Sequence, residues 1–189
     1  MSSVAILILA AGASKRMGDI KQLLAYRNTT LLGWSIDQAS ASKADEVFCV
    51  LGANADHIQN QIGDTVAWII NHQYQNGLSS SIVAGVKALA DHQAVLIILA
   101  DQPKIMTEDL NVLLSLYDKC PDSIIASNYG ASIGVPAVFP KKYFPDLLEL
   151  KGDKGAKKYL NQHKEKIHLV DSLRLIDIDT QEDYKRLID

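Results

Sequence analysis

Short, unbroken apolar runs recur along this chain, and the segments between them carry helical periodicity. Val4-Ala-Ile-Leu-Ile-Leu-Ala10 is the first run, followed by Glu46–Leu51, Val66–Ile70, Ala94–Ala100 and Ser123–Ala126. Runs of this kind are what strands of a parallel sheet need when helices cover both of its faces. The intervening segments supply those helices. Leu32, Ile36 and Ala39 share a face of Leu31–Ala41, and Ile82, Val83, Val86, Leu89 and Ala90 recur at helical spacing in Ser79–Ala90. Thr107 reads as an N-cap, with Glu108 and Asp109 in the first turn and Leu110, Leu113, Leu114 and Tyr117 behind them. Thr180 reads as the cap of a last helix, with Asp183 as its capping-box partner. The alternation predicts an α/β fold in three layers, with a mostly parallel central sheet and right-handed crossovers.

After Ala126 the rhythm changes. Residues 129–178 mix a Gly- and Pro-bearing stretch, a charged helical pattern and two short strands, Ile167–Val170 and Leu173–Ile178. No linker sets this segment apart, so residues 1–189 read as a single domain with 129–178 as an insertion or cap within it. A chain of 189 residues buries roughly 70% of its unfolded surface and folds without staples. Nineteen Lys and Arg against 22 Asp and Glu give a net charge of -3, which argues against wrapping a nucleic acid. Cys49 and Cys120 are too few for a disulfide scaffold or a Cys-rich zinc site, and read as small hydrophobes. The apolar run Val4–Ala11 is about half of a membrane span and has no basic region before it. The expectation is a cytoplasmic protein with no membrane segment.

In a parallel sheet of this kind, ligands bind beyond the C-terminal ends of the strands. The first strand is followed by Leu9-Ala-Ala-Gly-Ala-Ser-Lys-Arg-Met-Gly-Asp-Ile-Lys21. Ala10, Ala11, Gly12 and Ala13 are small enough for the backbone to approach a ligand closely. Exposed amides there make a concave anion site, and Ser14, Lys15, Arg16 and Lys21 add donors and positive charge. The stretch points to an anion, with phosphate the best fit; the plainer reading is a solvated loop with scattered lysines. It lacks the Gly-Lys-Ser/Thr ending of a P-loop. It also lacks the Gly-x-Gly-x-x-Gly fingerprint, because Ala10 and Ser14 stand at the positions compared, and that disfavours a nicotinamide oxidoreductase.

The fourth apolar run ends in Asp101-Gln102-Pro103. A carboxylate at the ligand edge suits Mg²⁺, with a turn or capping role as the alternative, and Pro103 turns the chain. The third run leads into Asn71 through Ser81, whose amides and hydroxyls suit a nucleobase. Ser79–Ser81 open a helix whose N-terminus favours negative charge; the plainer reading is a polar loop with an N-cap. Asp177 and Asp179 close the last predicted strand on one face, where a second carboxylate near Asp101 would complete a Mg²⁺ site; the plainer reading is a solvated strand end plus a helix cap. His57, His72, His92, His163 and His168 show no metal-ligand spacing.

Taken together, these residues resemble the MobA-like nucleotidyltransferases, and within them the molybdenum cofactor cytidylyltransferases. The resemblance runs from Leu9 to Leu187. It rests on the loop just quoted and on Asn71, Gly-Leu-Ser-Ser-Ser (77–81), Asp-Gln-Pro (101–103), Gly-Val-Pro-Ala-Val-Phe (134–139), Gly-Asp-Lys-Gly-Ala-Lys (152–157) and Asp-Ile-Asp-Thr-Gln-Glu-Asp (177–183). It implies a Rossmann-like nucleotidyltransferase fold and transfer of a nucleoside monophosphate from an NTP onto a phosphate, with release of pyrophosphate. The implied substrates are CTP, or another NTP, and molybdopterin; a molybdoenzyme or its chaperone is an implied partner.

By position, the resemblance places Ala10, Ala11, Gly12 and Ser14 against the nucleotide and Arg16 and Lys21 on its phosphates. It places Asn71, Ser79, Ser80 and Ser81 around base and ribose, and gives Mg²⁺ to Asp101 and Asp179. Lys21, Arg16 and Asp101 carry the chemistry. Gly134, Pro136, Gly152, Asp153 and Lys157 border the acceptor. Ala11, where the guanylyl branch usually has Gly, points to the cytidylyl branch. Val135 stands where many relatives have His or Asn, and Lys157 replaces a usual Arg, giving a point charge in place of a bidentate fork. A guanylyltransferase, a sugar- or alcohol-phosphate nucleotidyltransferase and a non-catalytic nucleotide-binding maturation factor are the rival readings.

Overall fold

The computed structural model describes residues 3–14, 16–171 and 173–189; Lys15, read above as a source of positive charge, lies outside them. β1 (Val4–Leu9) leads through a small ribbon, β2 (Ala25–Tyr26) and β3 (Thr29–Thr30), into α1 (Leu31–Ser40). β4 (Glu46–Leu51), α2 (Ala55–Ile62), β5 (Ala67–Ile70), α3 (Leu78–Ala88), β6 (Ala94–Leu99) and α4 (Thr107–Lys119) then alternate. β7 (Ile124–Asn128), β8 (Ile133–Pro140), α5 (Phe144–Leu148), α6 (Lys157–Gln162), β9 (Ile167–Val170) and α7 (Gln181–Ile188) complete the chain.

Seven strands form one sheet in the order β5-β4-β1-β6-β8-β7-β9. Within it β8 alone runs antiparallel to its neighbours, so the sheet is mostly parallel, as the apolar runs predict. Period-two alternation divides β1 between the two sides. Ile6 and Ile8 pack in one cluster with Leu32 and Ile36 of α1, Ile58 of α2, and Leu110 and Leu113 of α4. Leu7 and Leu9 pack in the other with Ile82 and Val86 of α3, Leu147 of α5 and Leu160 of α6. Each such side chain, buried on a face covered by helix, contributes about 1.5–3 kcal/mol. α3 lies so close to β1 that a Cβ on Gly85 would sit 2.2 Å from Leu7 Cδ2.

From β1 the chain moves outward to β4 and β5, then crosses back to β6 on the other side of β1. The C-terminal end of β1 is therefore the point where strand order reverses, which is where α/β sheets open a ligand crevice.

Three expectations are corrected, and one helix is added. Residues 173–178 form no strand: Leu175 and Ile176 N–H groups bond carbonyls only two residues back, at 3.2 and 3.1 Å, as in successive tight turns. Leu173 and Leu175 still pack on the core, while Ile178, out of phase with them, is buried in a separate small cluster. Residues 133–140, read as a Gly- and Pro-bearing stretch, form β8 inside the sheet. Pro136 is tolerated because pairing slips there: Ala126 opposes Ala137 while Ser127 opposes Gly134, so the missing N–H falls at an irregularity. Thr107 is the first residue of α4 and Met106 precedes it as the cap; the Thr107 hydroxyl instead donates to the Gln38 carbonyl at 3.0 Å. α2 was hidden because Ile58 is its one buried residue. The Thr180–Asp183 capping box of α7 forms as expected. No helix among the described residues is long and apolar enough to cross a membrane.

Candidate active site

The loop after β1 is folded around one side chain. Gln22 is buried, and its Nε2 donates to the carbonyls of Ala10 at 2.7 Å and Gly12 at 3.0 Å. Its Oε1 accepts the Ser14 hydroxyl at 3.3 Å, and Ser14 Oγ accepts the Lys21 N–H at 3.3 Å. Among the described residues, the N–H groups of Ala11, Gly12, Ala13 and Ser14 donate to no backbone acceptor outside regular structure. Carbonyls held inward and amides left over are the makings of an anion nest.

This loop forms one wall of a cavity of about 360 Å³. Ala10, Ala11, Gly12, Ser14, Arg16, Lys21, Ser81, Asp101, Asp153 and Asp179 all line it. The chain thus brings ten of the expected site residues to one place from positions up to 169 apart in sequence (179 minus 10).

Its charges meet at Lys21. The ammonium lies 2.6 Å from Asp101 Oδ2 and 3.3 Å from Asp179 Oδ1, while Arg16 Nη2 lies 3.1 Å from Asp179 Oδ2. Lys21 is largely shielded, at 17% side-chain exposure, whereas Arg16 is 72% exposed, so the Lys21 contacts are the stronger and less screened. Burial pushes the Asp101 carboxyl above its ordinary range; Lys21 pulls it back down, and the Asp177 and Asp179 charges push it up again. Asp101 Oδ1 is buried and has no hydrogen-bond partner among the described residues.

An orphaned carboxylate oxygen beside a second carboxylate is a hard-oxygen donor set. It fits a Mg²⁺ that takes one or two carboxylates and completes its shell with phosphate and water. No group of three or more His, Cys, Asp or Glu able to hold a metal occurs among the described residues, so the side chains would supply only part of the shell.

The other expected residues lie behind or beside the cavity. Asn71 is buried below it, and its Nδ2 donates to Ser80 Oγ at 2.9 Å and Ser81 Oγ at 3.1 Å. It therefore holds the first turn of α3 rather than lining the wall. The Ser79 N–H donates to the Gly152 carbonyl at 3.1 Å. A Cβ on Gly77, where φ is +93°, would press into Gly152 and Asp153, so the α3 entry requires glycine. Gly134 packs under Tyr129, the Pro136 carbonyl accepts the Ser127 hydroxyl at 2.6 Å, and Lys157 is exposed at the start of α6. Asp177 and Asp179, expected on one strand face, have separate partners: Asp177 accepts from Gln102 Nε2 at 2.7 Å, and Asp179 meets Lys21 and Arg16.

Sequence reasoning missed Gln22 in the wall; Met17, Tyr74, Leu78 and the buried Gln102 lie inside the segments singled out above but carry no individual role there. A glutamine close behind a small-residue loop, with a length suited to bonding its carbonyls, is the one signal that could have found Gln22.

Comparison with known proteins gives the same picture. The chain is 30% identical to the purine catabolism protein PucB of Bacillus subtilis (strain 168), covering 93% of this chain and 91% of that one. It is 30% identical to the nicotine blue oxidoreductase of Paenarthrobacter nicotinovorans, covering 96% and 94%. The crystal structure of Rv0371c from Mycobacterium tuberculosis H37Rv superposes with a TM-score of 0.85 at 28% identity, over 99% of this chain and 97% of that one. A second Rv0371c structure, in complex with manganese, gives 0.81 at 25% identity, over 99% and 98%. The family model that describes the MobA-like NTP transferase domain matches residues 6–167. A chain matched over that length, with its crevice at the same strand ends that its loop predicts, is a nucleotidyltransferase of the MobA-like family.

Proposed function

We propose that the protein transfers CMP from CTP to the terminal phosphate of molybdopterin and releases pyrophosphate, with Mg²⁺ as the cofactor. The observation that carries this reading is the placement of Lys21 between Asp101 and Asp179, in a cavity walled by a small-residue loop. The choice of cytosine follows from Ala11 and the Gly77–Ser81 segment. The acceptor follows from the resemblance of Gly134, Pro136 and Gly152–Lys157.

An oxygen of the acceptor phosphate attacks the α-phosphorus of CTP. The new P–O bond forms as the bond from the α-phosphorus to its bridging oxygen breaks, and that electron pair leaves with pyrophosphate. The acceptor is already anionic at neutral pH, so no general base is needed, and no histidine lines the cavity among the described residues. Asp101 and Asp179 would hold a divalent cation, which when bound would neutralise the charge that grows on the leaving group. Lys21 and Arg16 stabilise the same charge from the loop side. The nest at Ala11–Ser14 receives phosphate oxygens. Asn71 keeps Ser80 and Ser81 in place beside base and ribose.

A second cavity of about 740 Å³ adjoins the first through Asp153; Lys151, Lys154 and Lys158 line it together with Asp146, Glu149 and Asp153. It gives an acceptor room next to the nucleotide, with lysines and carboxylates in equal number along its wall. The manganese-bound relative supports a divalent cation in a protein of this family.

The test is pyrophosphate release from CTP, GTP, ATP and UTP, each with molybdopterin and Mg²⁺. Release with CTP well above the others is expected. Release only with GTP, or only with a sugar phosphate as acceptor, overturns the specific reaction and keeps the chemistry. Binding of Mg²⁺–CTP with no release under any acceptor favours a non-catalytic maturation factor. The relative named as an oxidoreductase supplies a further arm: hydride transfer from NADH or NADPH without pyrophosphate release replaces the reading altogether.

A further inference from the structure

Gln102 directly follows Asp101 and is buried, with 2% of its surface exposed. Its Nε2 donates to two acceptors at once, Asp177 Oδ1 at 2.7 Å and Tyr129 Oη at 2.8 Å. The Tyr129 hydroxyl in turn donates to the Val135 carbonyl at 2.5 Å. Both protons of the amide are engaged, so its orientation is fixed. The Tyr129 ring lies over Gly134, where a Cβ would come within 2.8 Å of Cε2. One buried amide thus joins three separate pieces of chain: the end of β6, the start of β8 and the irregular stretch before α7.

That last stretch has no ladder to hold it. Two bonds tie it to the end of β6: the Ile178 N–H donates to the Asp101 carbonyl at 2.9 Å, and Gln102 donates to Asp177. Asp179 is the next residue along. The geometry points to Gln102 as a positioning residue that, through Asp177, sets Asp179 in register with Asp101, and, through Tyr129, fixes the start of β8 to the same frame. This rests on reading Asp101 and Asp179 as the cation site. The chemistry suits an amide specifically, because only a neutral double donor can satisfy a carboxylate and a phenol oxygen together without adding charge. Glutamate has the same length but loses both donors and sets a like charge against Asp177. Methionine keeps the volume and removes the bonds.

The test is Mn²⁺ affinity in the presence of CTP, and separately of GTP, read by electron paramagnetic resonance. Thermal melting of each variant runs in parallel. Q102M and Q102E are expected to bind Mn²⁺ roughly 10–100-fold more weakly, the scale seen when an outer-shell partner of a metal ligand is lost. The double variant Q102E/D177N restores part of that loss, because the new Asn amide can donate to the new carboxylate and reverse the bond. A merely structural role would lower the melting temperature and leave Mn²⁺ affinity of the folded protein unchanged. Wild-type affinity in folded Q102M or Q102E overturns the inference while the cation site stands. Should Q102M fail to fold, Q102E against Q102E/D177N decides, and equal weakness in the two overturns it. A wild-type protein that takes up no Mn²⁺ with either nucleotide overturns the cation site and the positioning role with it.

Discussion

Lys21 acts, without substrate, as the counter-ion that two carboxylates need. Its ammonium is 2.6 Å from Asp101 and 3.3 Å from Asp179, close to where a divalent cation would have to bind. Nucleotide and metal therefore have to displace or share these contacts. Lys21→Met removes the internal cation and leaves both carboxylates in place. It is expected to lower transfer by about 10²–10³-fold, the scale of one lost charge-stabilising donor. It is also expected to tighten Mn²⁺ binding in the absence of nucleotide, measured by paramagnetic resonance. Asp101 tests the same cluster from the other side. Burial raises its carboxyl above the ordinary value, so the folded state holds this proton more tightly than the unfolded chain does. Stability from that group is present below the unfolded value and is lost as pH rises through the raised folded value. At neutral pH the charged Asp101 thus works against folding. Asp101→Asn is expected to abolish transfer with a melting temperature equal to or above that of the wild type. At this scale, the cationic loop and Asp101 were legible because each follows an apolar run directly. Gln22 and Gln102 were not, because an amide has no periodic signature. The partners of Gln102 lie 27 and 75 residues away.

Elements differ in how their positions are enforced. β1 and β6 are apolar on both faces and pair over their whole length, so a short run of sequence was enough to identify them. β8 and the stretch 173–178 were misread for opposite reasons. β8 carries Gly134 and Pro136, which mark loops on local grounds, yet the pairing slip at Ser127 accommodates them. Residues 173–178 alternate like a strand, but no neighbouring strand takes their hydrogen bonds. α7 depends on its cap, since no residue of it is fully buried. Its Thr180 hydroxyl accepts the Asp183 N–H, and Asp183 Oδ2 accepts from Thr180 and Asp179 N–H groups. The Thr180 hydroxyl, which also donates to Asp183 Oδ2 at 2.8 Å, and then those N–H groups hold the Asp183 carboxyl below its ordinary value. The cap is therefore present above the unfolded carboxylate value and is lost as pH falls through the lowered folded value. Amide exchange in 179–188 is expected to be protected at neutral pH and to lose protection in acid. Thr180→Ala should cost the helix about 1 kcal/mol, read as faster exchange there with β1 and β6 unaffected.

Across the whole molecule, the site is assembled from the beginning, the middle and the end of the chain. Gln181 Nε2 donates to the Met17 carbonyl at 2.7 Å and the Tyr184 hydroxyl to the Ala25 carbonyl at 2.6 Å. Ile178 is buried in a small cluster with Met17, Tyr26 and Leu31. The segment that brings Asp179 to the cavity is thus packed on the loop that brings Lys21. A ligand that bridges them couples its binding to the integrity of both. At a concentration a hundredfold above its dissociation constant, such a ligand stabilises the folded state by about 2.7 kcal/mol, a rise of about 5–10 °C in melting temperature for a chain of this size. Mg²⁺ and CTP together are expected to give that shift, and CTP with a chelator much less of it. Removing residues 177–189 takes away Asp179 and two ties to the loop, and is expected to erase the metal-dependent part of the shift while β1, β4 and β6 keep their pairing. A truncated chain that retained the full metal-dependent shift would place the cation on residues other than Asp179 and would detach the C-terminal segment from the site.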